Sequence, residues 1–177
     1  PMRLNILLGP KSSSSLYKCW FLYKKTRREL NDFLQKNNAR ILDLEIHGSQ
    51  KYLAAIVVKK EFRSNKFSYY TGIKPSQLQS KINYFSQNNI RPIDIEPYFN
   101  KRKERRYAVV IVPNTGKHRK GWYLYFNHEK SYIIDKFYEH DKFMMIDLEK
   151  HNVSNNKYTA IFVAAQEIPS KSFRTNL

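Results

Sequence analysis

Three short strings of alternating apolar and acidic residues recur along the chain: Leu42-Asp43-Leu44-Glu45, Ile93-Asp94-Ile95-Glu96 and Ile146-Asp147-Leu148-Glu149. Their aspartates lie 51 and 53 residues apart. Each string is followed by a basic residue, a tyrosine and a β-branched run: Lys51-Tyr52 into Ala55–Val58, Arg106-Tyr107 into Val109–Val112, and Lys157-Tyr158 into Ala160–Val163. Each is preceded by an aromatic string ending in tyrosine, at Trp20–Tyr23, Phe67–Tyr70 and Trp122–Tyr125. Three features in one order, three times over, define a tandem repeat of about 50 residues. On this reading Trp20, Tyr23, Asp43, Glu45, Tyr52, Tyr70, Asp94, Glu96, Tyr107, Trp122, Tyr125, Asp147, Glu149 and Tyr158 are the residues that define the repeat.

The pattern within a unit predicts its elements. The aromatic string suits a pleated, half-buried strand. A helical stretch follows, with apolar residues one turn apart at Leu30, Phe33 and Leu34, at Leu78, Ile82 and Phe85, and at Ile133, Ile134, Phe137 and Tyr138. Pro75-Ser76 marks a helix start, and Asn37-Asn38 and Asn88-Asn89 supply residues that tolerate a left-handed stop. The acidic string and the β-branched run then form a hairpin. The expected fold class is α+β: tandem β-α-β-β repeats with antiparallel strands and one helix per unit. The expected division is 1–17 as the last strand of an incomplete unit plus linker, 18–60, 61–116 and 117–165 as three units, and 166–177 as a tail. The strand Arg3–Leu8 implies either a chain cut from a longer array or a first strand that pairs with a neighbour as a cap. An Asn-Thr-Gly turn before Trp122 suggests that the last strand of one unit and the aromatic strand of the next are antiparallel neighbours, giving three-stranded meanders. A unit this small cannot bury its own apolar face, so neighbours must share a core.

Charge narrows the partners. Thirty-two Lys and Arg against fifteen Asp and Glu give a formal charge of +17 in 177 residues, which points to a polyanionic ligand. Half of the basic residues fall in four segments. One is Lys24, Lys25, Arg27 and Arg28. Two are inter-unit linkers, holding Lys59, Lys60, Arg63 and Lys66, and then Lys117, Arg119 and Lys120. The fourth is a hairpin loop with Lys101, Arg102, Lys103, Arg105 and Arg106. In a regular array equivalent linkers share an edge, so their charge adds into a stripe suited to nucleic acid or acidic polysaccharide. The alternative is a solubilising surface. Interleaved aromatics would also serve as base-stacking platforms, but a residue type present in every unit is more economically read as packing.

Catalytic patterns are sparse. Each Asp/Glu pair is i, i+2 on a strand and so shares a face at about 7 Å, a separation within the range used by inverting glycosidases. This keeps open a hydrolase reading. The competing reading is structural, with the acids bonding a loop backbone or pairing with a Lys or Arg of an adjoining strand or unit. His47, His118, His128, His140 and His151 show no i, i+4 or HExxH spacing and keep no fixed offset from the acids, so no metal or cofactor is expected. A single cysteine, Cys19, excludes an internal disulfide and a cysteine-built zinc site. No apolar run reaches the roughly 18 residues of a membrane span, and no signal peptide is visible, leaving the compartment open.

The stretch Arg106–Val112, then Asn114-Thr115-Gly116 and Gly121-Trp122-Tyr123-Leu124-Tyr125, resembles the units of bacterial tandem repeat proteins, as does Asn89–Tyr98. Similar repeats form the N-terminal domain of fungal polyglycine hydrolases, a family that includes secreted proteins. There they precede a separate serine-hydrolase domain of the β-lactamase type. The resemblance implies a non-catalytic module that helps to select or position a substrate. Ser15-Leu16-Tyr17-Lys18 matches the hydrolase Ser-x-x-Lys motif by spacing only, and Lys25-Thr26-Arg27 breaks its Lys-Thr-Gly motif. The expected function is therefore a repeat-built binding or scaffold module, no enzyme in itself, with a protein or peptide partner. Polyanion binding and hydrolysis by an acid pair are the alternatives.

Overall fold

A computed structural model describes residues 19–47, 52–60, 64, 66–151 and 156–165. The expected first strand at Arg3–Leu8, Arg63 and the tail 166–177 lie outside the described residues. The elements run β1 (Cys19–Lys25), α1 (Arg27–Lys36), β2 (Ala39–His47), β3 (Tyr52–Lys59), then β4 (Ser68–Ile73), α2 (Pro75–Gln87), β5 (Ile90–Phe99), β6 (Arg105–Pro113), and finally β7 (Trp122–Glu129), α3 (Lys130–Glu139), β8 (Phe143–Lys150), β9 (Lys157–Ala164). They form three antiparallel three-stranded sheets, ordered β1-β3-β2, β4-β6-β5 and β7-β9-β8. The molecule is thus α+β, with one helix accompanying each sheet.

The helices start where local chemistry favours them. Thr26 and Glu29 close a reciprocal capping box on α1, with the Thr26 amide donating to Glu29 Oε2 at 2.7 Å. Pro75 opens α2 at the position where its missing N–H costs nothing. Asn38 and Asn89 take the left-handed conformation just past α1 and α2, at φ 45° and 53°. Leu30, Leu78 and Ile133 sit fully buried one turn into their helices.

Two irregularities recur in every sheet. The first strand of each shifts register around Lys24, Gly72 or Asn127, all at positive φ. The acidic strand shifts at Leu42, Ile93 or Ile146, an extra residue opposite the central strand. That bulge lets Ile41 and Leu44, three residues apart, share one buried face.

Two expectations are corrected. The meander is absent among the described residues, because each aromatic strand pairs with the last strand of its own unit: β4 with β6 and β7 with β9. The reason lies in the linker. Asn114 donates to the Lys120 carbonyl at 2.9 Å and accepts from the Lys120 amide at 2.8 Å, looping the chain out around the short 3-10 turn Gly116–His118. The chain therefore leaves β6 to start a new sheet.

The second correction concerns register. Leu53, Tyr107 and Tyr158 occupy the same rung, paired with Lys25, Ile73 and His128, so Tyr52 is one residue out of the slot assigned to it. Tyr70 and Tyr125 lie two residues before the positive-φ position, but Tyr23 lies only one before it, and Leu22 fills the slot instead. One residue flips the face. Tyr23 is accordingly 49% exposed, while Leu22 is buried. Trp20 is likewise out of step with Trp122, since Cys19 and Trp122 occupy the matching rung opposite Val58 and Val163.

Two of the hydrophobic cores join residues of neighbouring sheets. The first core joins Leu22, Leu30, Leu44 and Val57 to Tyr98, Ala108 and Val110 of the second sheet. The second joins Leu78, Phe85 and Ile95 to Leu124, Ile161 and Val163 of the third. Among the described residues the third core holds only residues of the third sheet and its helix, among them Ile133, Phe137 and Phe162.

Candidate functional site

The acidic strands meet at the seams between units. Asp94 Oδ2 accepts the Leu44 amide at 3.0 Å, and Asp147 Oδ2 accepts the Ile95 amide at 2.8 Å. The partner is therefore the acidic strand of the preceding unit. This differs from the loop backbone or Lys/Arg pairing expected for the acids, and among the described residues none of the six forms a salt bridge. The bulge explains the geometry, since it turns the aspartate away from its own helix and toward the neighbouring strand.

All six carboxyls are pushed upward. Burial is the main cause for each; acids of the other sheets add repulsion at Asp94, Glu96, Asp147 and Glu149, and Asp43 adds it at Glu45. Glu96 rises to about 10 and Glu149 to about 9. Asp147 rises only to about 7, because the Ile95 and Leu148 amides favour its ionised form. Asp94 is held well above the ordinary aspartate range by burial first, then by Asp147 and Asp43. Repulsion felt between the first and third units means that the three acidic strands converge on one region.

At the starting end of those strands lies a cleft of about 560 Å³. Its lining includes Leu42, Ile93 and Ile146, the three bulged residues, together with Arg40, Arg91, His118 and Lys120. Arg40 also lies over the Phe67 ring, 5.6 Å from its centroid, and Lys60 Nζ lies over the same ring at 5.8 Å. A lining that mixes positive charge with apolar side chains suits an anionic group attached to an apolar body.

The candidate basic residues of the linkers and of the hairpin loop lie at two different ends. Lys59, Lys60, Lys66, Lys117, Arg119 and Lys120 lie where β3 and β6 finish, at the cleft end. Lys66 Nζ donates to the Asn88 carbonyl at 2.7 Å, and Lys120 lines the cleft. Lys101, Arg102, Lys103 and Arg105 lie at the β5–β6 turn, one strand length or roughly 27 Å away. There Asn100 Oδ1 accepts from the Arg102 and Glu104 amides, and Arg105 donates to Asn127 Oδ1 at 2.9 Å.

Arg40, Arg91 and His118 were not among the candidates read from sequence. A signal existed: Arg40-x-x-Asp43 and Arg91-x-x-Asp94 repeat, with Met144 in the third position. Among the described residues only the third sheet and its helix carry parallel tyrosine–histidine stacking. Tyr123 lies parallel to His140 at 4.4 Å, and the Tyr125 hydroxyl meets His140 Nε2 at 2.7 Å. Of the tandem tyrosines, Tyr107 and Tyr158 are buried and Tyr70 is set against Phe85. Trp20 meets Phe33 edge-on at 5.5 Å, and Trp122 packs on the second core.

Among the described residues no group of three or more His, Cys, Asp or Glu side chains is arranged to hold a metal ion. No helix among them is long and apolar enough to cross a membrane. Comparison with known families places the middle of the chain: residues 64–114, which contain β4, α2, β5 and β6, match the model of the polyglycine hydrolase-like structural repeat. No curated protein and no solved structure matches the chain.

Proposed function

We propose that all three units are copies of one β-α-β-β repeat, and that the chain is a non-catalytic binding module positioning a partner for chemistry done elsewhere. The observation that carries this reading is the cleft where the three acidic strands begin. Its lining combines two arginines, a lysine and a histidine with an apolar residue supplied once per unit, Leu42, Ile93 and Ile146. Such a site takes an acidic protein segment, with a carboxylate on the basic residues and an apolar side chain on Leu42, Ile93 and Ile146. The acids at the seam support a structural role. A general acid–base pair needs one raised and one ordinary carboxyl, whereas all six here move in the same direction.

Nucleic acid is the second reading, favoured by the lysines that surround the same end. Fluorescence anisotropy with a Leu-Glu repeat peptide and with a thymidine oligonucleotide separates the two. Peptide binding that falls about tenfold in R91E, with a shallow salt dependence, supports the cleft. Tighter oligonucleotide binding with a log–log salt slope of several units supports nucleic acid. Absence of both at low salt overturns the binding reading.

A further inference from the structure

Each sheet carries one row of three paired residues across its outer face: Phe21–Ile56–Asp43, Tyr69–Val110–Asp94 and Leu124–Ile161–Asp147. In the second and third units the row presses on the unit before it. Tyr69 and Val110 pack into the first core, Leu124 and Ile161 into the second, and each aspartate takes a backbone amide. In the first unit the same row is open among the described residues. Phe21 is 49% exposed, with its ring stacked on that of Tyr23, which is equally exposed, and Ile56 is half-buried.

The complementary half stands open at the other end. Leu44 and Ile95 are fully buried because the following sheet covers them, but Leu148, which follows its aspartate as they follow theirs, is only half-buried. Gln35 and Asn83 line the crevices against Tyr69 and Leu124. Tyr138 stands at the same distance from its helix N-cap as those two residues and is 57% exposed. The molecule therefore carries both halves of an interface that it has already made twice within itself.

We propose that copies of this chain associate head to tail. The Phe21–Ile56–Asp43 face of one copy covers Leu148 and Tyr138 of another, and Asp43 takes the place at the joint that Asp94 and Asp147 hold at the internal seams. The contact is heterologous, so blocking either half stops it, and two differently blocked copies complement each other.

Sedimentation velocity on the 177-residue chain tests this. The wild type is expected to rise above its 21.2 kDa monomer mass as concentration increases. F21D and Y138D, both at exposed positions and checked for native circular dichroism, should each remain monomeric alone. An equimolar mixture should give a 1:1 dimer and nothing larger. A wild type that stays monomeric to ~1 mM, where a contact worth about −4 kcal/mol would register, overturns the proposal. So does association that survives either folded single variant, or a mixture of folded variants that fails to dimerise.

Discussion

The Asp94 carboxylate accepts the Leu44 amide at 3.0 Å across the boundary between the first and second sheets. Both partners are buried. Removing the acceptor leaves a buried N–H unpaired, so D94A is expected to lose roughly 1–3 kcal/mol in urea unfolding. D94N keeps an oxygen for the Leu44 amide and removes an ionisable group from a site that disfavours its charge. It should be neutral or stabilising, and a D94N loss as large as that of D94A would contradict this account of the seam.

The seam acids make stability fall as pH rises. Their folded values lie above the ordinary carboxyl range of the unfolded chain, so the native state holds protons that the unfolded state has released. The contribution is complete below about pH 4, and is lost as pH climbs through about 7 for Asp147, about 9 for Glu149 and about 10 for Glu96. Thermal melts should show a midpoint lower at pH 9 than at pH 5 by several degrees, about 4 °C or more for each 1–2 kcal/mol lost. The double variant E96Q/E149Q should flatten that slope.

The corrected register has its own consequence in the first sheet. Leu53 lies in the core and Tyr52 beside it, half-buried. L53A should cost about 2–5 kcal/mol, as buried leucine truncations do, while Y52A should cost clearly less. Denaturant midpoints for the two variants check this directly. The reverse order would restore the alignment of Tyr52 with Tyr107 and Tyr158.

The left-handed residue before each helix is glycine in only one unit. Gly72 adopts φ +79° with open space around an added Cβ, so G72A tests conformation alone. It should destabilise by about 1–2 kcal/mol. Lys24 and Asn127 hold the same place at φ 50° and 62°, so K24G should gain stability by a few tenths to about 1 kcal/mol, read from the same urea curves.

The strands and helices were legible because each leaves a local periodic mark. Alternation marks the acidic strands, one-turn spacing marks Leu30, Leu78 and Ile133, and paired asparagines mark two helix ends. Strand partnership was not legible. It depends on where the chain goes after β6, and that is decided by Asn114 clamping Lys120, a contact invisible as a pattern. The slip in the first unit was hidden for a related reason. Leu22 and Leu53 satisfy buried rungs that tyrosine fills elsewhere, so residue type alone aligns the exposed Tyr23 and the neighbouring Tyr52 with those rungs. At the candidate site, lysine-rich linkers drew attention by composition. Arg40 and Arg91 were masked by the apolar residues beside them, although their constant offset from the aspartates marked them.

The buried carboxyls also change what the surroundings of the molecule feel. The formal charge of +17 counts Glu96 and Glu149 as anions. With pKa values of about 10 and about 9, both are uncharged near neutrality. Two negative charges therefore disappear on folding, and the native molecule should migrate faster toward the cathode than its composition implies. Every acidic ligand it meets encounters a field set by the fold as well as by the count of lysines and arginines.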